Sequence, residues 1–246
     1  MIGTGSGITK GGYVEFDLKD ATDSSAALNL ALWLKNNTGV TAAKWTDSSG
    51  SANHALQGTE GNQAAVSGGG LDFEKDNSDH YDLDTKIDIA DNGGFCVAMV
   101  VTRDSEVAGC LLSDGSSELF QFQNATKLRI KTVNSSATAT TTDAVFPAGT
   151  FATGSKFILL VNRSAGASNR FTFMKNGVAL TADTDTSSNE AAGENPGGIE
   201  FTVLGSRTGG SNFFDGIIHE AAIWERALTA QEIADVNDYL LDAHEL

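Results

Sequence analysis

The sequence predicts an all-β protein made of two packed antiparallel sheets and one short C-terminal helix. Three observations carry this. Apolar runs of strand length recur along nearly the whole chain, separated by turns rich in Gly, Ser, Thr and Asn. The 13 Phe are spread through those runs, as an interior of two interdigitating sheets requires. Only one segment combines an N-terminal cap with a helical apolar period, and strands do not alternate with long helices, which argues against a doubly wound sheet or a β/α barrel.

In chain order, residues 1–12 are rich in Gly and are expected to form a flexible arm, leaving 13–246 as the folded domain. Val14, Phe16 and Leu18 alternate with Glu15 and Asp17 as in a half-buried strand. Leu28, Leu30, Leu32 and Leu34 repeat the two-residue period, with Trp33 on the other face. A turn-rich stretch from Asn36 to Gly70 follows, interrupted by Trp45, before Leu71-Asp72-Phe73 resumes the extended pattern. The apolar run from Phe95 to Thr102 is nearly continuous and marks a central strand. Further short strands are expected at Leu111-Leu112, 119–122, 128–133 and 157–161. Asn176-Gly177 between two extended runs is the clearest hairpin signal, because this pair accepts the positive dihedrals of a tight turn. Strands at 199–204 and 213–224 precede a helix over 230–241, where Thr229 and Glu232 form a capping box and Ile233, Val236 and Leu240 make an apolar stripe.

All-β sandwiches of 246 residues commonly form one domain. Sixteen basic against 32 acidic residues give a formal charge of −16, which repels phosphate backbones and anionic lipid surfaces and excludes nucleic acid as a partner. No apolar stretch reaches the roughly 20 residues of a membrane-spanning helix, so no membrane insertion is expected. Cys96 and Cys110, the only cysteines, are expected to flank a hairpin turning around 103–107 without facing one another, hence as two small buried residues. The start of the chain shows neither a basic region nor an apolar core, and synthesis without secretory targeting is expected.

The segment from Phe213 to Thr229 resembles the closing signature of concanavalin A-like, laminin G-like domains. In that signature a Gly, a Glu four residues on, an aromatic and an Arg-Ala-Leu-Ser/Thr stretch lead into a short helix. Gly216, Glu220, Trp224, Arg226, Ala227, Leu228 and Thr229 fall in that register. Leu32-Trp33-Leu34 and the stretch Trp45 to Ala55, with Asp47 before a Ser-Gly pair, are similar to the family's opening turn. Leu71-Asp72-Phe73 and Asn176-Gly177-Val178 match as well, so the resemblance spans 28–241. It implies a jelly-roll sandwich of two curved antiparallel sheets, and by itself no chemistry.

A glucanase requires two carboxylates roughly 5 to 10 Å apart across a cleft. The superfamily's enzymes carry a Glu-x-Asp-x-x-Glu strand, whereas the run from Glu220 to Glu225 has Ala222 at the central position. On an extended strand those two glutamates also face opposite ways. No catalytic residue is therefore assigned, and Glu220 is expected to be a structural carboxylate paired with Arg226 or Arg207. No cofactor is expected; the alternative is calcium, since hard cations take loop oxygens, with Asp76, Asp79, Asp82 and Asp84 as its candidate ligands. Trp45, in a turn-rich segment, is the aromatic expected to be exposed, and with Asp47 and Asn53 it forms the candidate ligand-binding set. Together with the charge, the arm and the missing leader, the resemblance implies a non-catalytic virion surface or decoration protein, made in the host cytoplasm. Its expected partners are capsid or other virion proteins or copies of itself. The alternative is a free carbohydrate-binding or adhesion module for surface glycans, extracellular and part of a longer protein.

Overall fold

The computed structural model describes Leu18 and residues 29–115, 117–166, 171–182, 184–188, 197–207 and 211–246. The predicted arm at 1–12 and the alternation at Val14 and Phe16 lie outside the described residues. The strands are β1 (Leu30–Leu34), β2 (Val40–Thr41), β3 (Lys44–Trp45), β4 (Ala55–Leu56), β5 (Ala65–Ser67), β6 (Gly70–Phe73), β7 (Tyr81–Ile89), β8 (Phe95–Arg103) and β9 (Gly109–Ser113). They continue with β10 (Leu119–Phe122), β11 (Lys127–Val133), β12 (Ala139–Val145), β13 (Phe157–Arg163), β14 (Phe171–Lys175), β15 (Val178–Leu180), β16 (Thr184–Ser188), β17 (Ile199–Leu204) and β18 (Gly216–Trp224). One helix, Ala230–His244, closes the chain.

These strands form two antiparallel sheets. The first runs β15-β14-β13-β8-β18-β6-β5, with β1 also paired to β18, and the second runs β16-β12-β11-β10-β9-β17-β7-β4-β3-β2. The architecture is the all-β jelly-roll sandwich with one C-terminal helix. Between the sheets lies the main core, in which Phe95 packs edge-on against Phe171 and Phe201, and Phe122, Phe151 and Phe157 form a second aromatic group. Asn176 (φ 48°) and Gly177 (φ 74°) make the two-residue turn between β14 and β15, where the Asn-Gly pair predicts it.

The first sheet is covered on both faces. Its outer face carries Trp33, Cys96, Ala98, Ile158, Leu160, Ala222 and Trp224, over which the helix lays Val236, Tyr239 and Leu240. This double burial is why β8, β13 and β18 read as continuous apolar runs and not as alternation. β11, covered on one face only, alternates strictly between buried and half-buried residues.

Three expectations are corrected by the structure. β8 lies in the first sheet and β9 in the second, so residues 103–107 form a crossing between sheets and not a hairpin. Cys96 and Cys110 are buried and free, on strands of different sheets. Glu220 pairs with neither arginine proposed for it: Arg226 is held by Glu232, at 2.5 and 2.9 Å. Glu220 instead binds His244, and because that histidine is the last helical residue, the helix runs three residues beyond the predicted end at 241.

Candidate functional site

The residues of the closing signature are structural. Gly216 has φ +134°, and a Cβ there would lie 2.2 Å from the Thr102 carbonyl oxygen, so only glycine lets β18 approach β8 this closely. Glu220 is buried to 1% exposure, and its Oε1 accepts from Trp33 Nε1 at 2.7 Å and from the Tyr239 hydroxyl at 3.3 Å. Its Oε2 lies 2.8 Å from His244 Nε2 and accepts from the Asn36 N–H at 3.4 Å. Both oxygens are thus committed to holding β1, β18 and the helix together. Trp224 is fully buried, the Leu228 N–H donates to Asn162 Oδ1, and Thr229 caps the helix reciprocally with Glu232. Glu225 lies past the end of β18 and is exposed, so the two glutamates do not share a cleft.

The opening turn is equally closed. Trp45 is fully buried, a correction to its expected exposure, and its indole N–H donates to the Lys35 carbonyl at 3.1 Å. Asp47 accepts from the Trp33, Ser49 and Asn53 backbone N–H groups and from the Ser49 hydroxyl, at 2.7 to 3.0 Å. The Asn53 amide donates to the Ala31 carbonyl, and its Oδ1 is buried without a partner. The three residues do come together, but around one folded turn. Trp33 and Trp224 are buried too, and Tyr81 and Tyr239 do not offer an open ring face.

The proposed calcium ligands are not brought together. Asp82 and Asp84 point outward from β7, whose two-residue period sends Tyr81, Leu83, Ile87 and Ile89 inward. Asp76 is exposed on the short 3-10 turn Lys75–Asn77. Asp79 is buried, and its Oδ2 accepts from the Glu74 N–H at 2.8 Å while its Oδ1 has no partner. Burial pushes the Asp79 and Asp72 carboxyls above the usual range, and the charges of Asp104, Asp215 and Asp79 add to the rise at Asp72. Among the described residues no three His, Cys, Asp or Glu side chains gather in a way that would hold a metal. Also among the described residues, no helix is long and apolar enough to cross a membrane.

Among the described residues a groove of about 380 Å3 opens at one edge of the sandwich. One wall is the β2–β3 hairpin, which ends the second sheet, and the other is the β5–β6 hairpin, which ends the first. Asn37, Gly39–Thr41, Lys44 and Thr46 line one side, and Val66–Gly69 the other. Local chemistry shapes both walls. Thr41 Oγ1 donates to the Lys44 carbonyl and accepts from the Lys44 N–H, clamping the β2–β3 turn. Gly68 (φ +55°) and Gly69 (φ +80°) form the two-residue turn of β5–β6, a conformation that favours glycine. The walls are tied by the Asn37 N–H donating to the Gly69 carbonyl, and by the Asn36 amide donating to the Gly68 and His219 carbonyls.

The groove is of mixed character, with Val40 and half-exposed Val66 as its apolar side chains. The side chains of Lys44, Thr46 and Ser67 make no hydrogen bond or ion pair with the described residues, so their polar ends are available to a ligand. Sequence reasoning assigned none of these residues. Two signals were present: the Gly68-Gly69-Gly70 run, and the stretch 36–71, which contains two of the 32 acidic residues, Asp47 and Glu60.

A family model described as the Concanavalin A-like lectin/glucanases superfamily, of laminin G type, matches residues 75–234. No curated protein matches the chain. Among solved structures, the binding domain of Paraclostridial Mosquitocidal Protein 1 is similar at 15% identity and TM-score 0.59, over 88% of this chain and 53% of that one. The receptor binding domain of Botulinum Neurotoxin Type G gives 14% identity and TM-score 0.52, over 86% and 51%. Trypanosoma rangeli sialidase in complex with sialic acid gives 16% and 0.55, over 87% of this chain and 33% of the sialidase. The chain therefore spans a third to about half of these proteins, and at such identities they share its fold.

Proposed function

The chain belongs to the Concanavalin A-like lectin/glucanases superfamily, and from that premise we propose that it is a non-catalytic carbohydrate-binding or adhesion module whose ligand occupies the groove between the β2–β3 and β5–β6 hairpins. The observation that carries this is the set of unengaged polar side chains, Lys44, Thr46 and Ser67, facing one open cavity at the meeting of two sheet edges. Sugars are bound by convergent hydrogen-bonding groups beside a small apolar surface, and Val40 and Val66 supply that surface here. A volume of about 380 Å3 lies toward the lower end of the range for small-ligand sites, which fits one or two sugar rings.

Binding without turnover is supported by Glu220, whose oxygens are all engaged in a buried network, leaving it unable to protonate a glycosidic oxygen. The solved structures named above include the binding domain of a mosquitocidal protein and the receptor binding domain of a neurotoxin, which favours an adhesion module over a shell protein. The expectation of a virion component rests on sequence features alone, and neither the family nor those structures adds to it.

Retention on a glycan array is the test. Ser67→Trp, which fills the groove from the β5–β6 turn, is expected to abolish retention while leaving the melting temperature within a few degrees of the parent. Retention undiminished in a folded Ser67→Trp protein would rule the groove out as the site, and absence of retention on any glycan would rule out the carbohydrate reading.

A further inference from the structure

We infer that the groove selects saccharides bearing a carboxylate, with Lys44 as the residue that recognises the charge; this deepens the carbohydrate-binding proposal and rests on it. The protein carries a formal charge of −16, yet none of the ten residues lining the groove is acidic, and the one charged residue among them is Lys44.

Lys44 is half-buried and has no carboxylate partner among the described residues. Several other cations do have one: Lys75 with Asp215, Lys86 with Asp88 and Glu200, Lys127 and Arg129 with Asp143, and Arg226 with Glu232. In a chain with twice as many acids as bases, an unpaired lysine in an acid-free cavity is a local positive site on a negative surface. A neutral sugar would leave that ammonium without a counter-charge, whereas a carboxylate would pair with it.

The neighbouring donors suit the same ligand. Thr46 and Ser67 hydroxyls can each donate to a carboxylate oxygen or to a ring hydroxyl, and Thr41 holds the Lys44 backbone through two hydrogen bonds at 3.0 and 3.1 Å. The lysine therefore stands on a fixed turn. The long-range field of the protein opposes the approach of any anion, so recognition would come from this short-range pair and would weaken with added salt.

The experiment is a titration of isotope-labelled protein, following the backbone amides of Gly39, Ser67, Gly68 and Gly69. The probes are glucuronate, galacturonate and sialic acid, each paired with its methyl ester, and one sulfated monosaccharide. At least one free acid should shift the groove amides and bind about three- to tenfold more tightly than its ester, as expected for one partly exposed charge pair. Lys44→Gln should remove the difference between acid and ester while leaving the remaining spectrum unchanged. Acid and ester binding equally at the groove would overturn the charge inference and leave the carbohydrate reading standing. No shift of groove amides with any sugar would overturn both. Preference for the sulfated sugar over every carboxylate would overturn the assignment of the carboxylate, and a preference for acids that survives Lys44→Gln would overturn the role of Lys44.

Discussion

Several residues that look functional by type are engaged in holding the fold. Trp45, Asp47 and Asn53 were plausible as a ligand set because a tryptophan in a turn-rich segment has no periodic pattern to mark it as buried. In the fold the Trp45 indole is fully enclosed and Asp47 accepts four hydrogen bonds. Glu118 shows the energetic side of burial. It is 7% exposed, it accepts from the Glu200 N–H, and burial, reinforced by Asp114, Glu200 and Asp88, pushes its carboxyl up to about 7. A carboxyl whose folded pKa exceeds its unfolded value binds its proton more tightly when folded, so stability falls as pH rises from about 4.5 to about 7 and stays reduced above that. Glu118→Gln should therefore melt several degrees above the parent at pH 8, with the difference vanishing near pH 4. Thermal melts of the two proteins compared at each pH cancel the opposite contribution of His219, whose pKa burial lowers to about 4. Identical melting temperatures at pH 8 would contradict the assignment.

Among the elements, β18 and the C-terminal helix decide how the site is supported. The register of β18 against β8 shifts between Ile218 and Glu220, so His219 is an extra residue that reverses the alternation. Ile218 faces the main core, and beyond the bulge Ala222 and Trp224 face the helix while Ala221 and Ile223 face the main core. Glu220 is thereby delivered to Trp33, Tyr239 and His244. The helix is needed to cover that outer face, and its start depends on Thr229, whose Oγ1 accepts from the Glu232 N–H at 3.3 Å while Glu232 accepts from the Thr229 N–H. Thr229→Ala should cost about 1 kcal/mol in urea unfolding. A loss below about 0.3 kcal/mol would mean that packing of Val236, Tyr239 and Leu240 alone fixes the helix.

For the whole molecule, β8, β13 and β18 lie between two buried layers, the inter-sheet core and the helix, while the groove is built from hairpins at the sheet edges. Amide exchange should follow this gradient: slowest in Val97–Val101, Ile158–Val161 and Ala221–Ile223, and fastest in the β2–β3 and β5–β6 hairpins. Uniform protection would contradict a layered core.

The sequence by itself determined the all-β class, the Asn176-Gly177 hairpin, the capped C-terminal helix and the family, because each is written in contacts between residues a few positions apart or in a contiguous signature. The apolar runs of β8 and β13 belong to the same local information, whereas the alternation of β7 is not read as a strand, because its outward Asp82 and Asp84 read as loop ligands. Tertiary structure alone decided that β8 and β9 belong to different sheets, that a one-residue bulge reverses β18, and that Asp76, Asp79, Asp82 and Asp84 diverge. It also made the groove, which joins residues 37–46 to residues 66–69 across the edges of two sheets. The physical reason is that a cavity is what remains when elements distant in the chain have packed: its lining is chosen by sheet order and strand register, and neither is encoded in the local pattern of the residues that end up facing it.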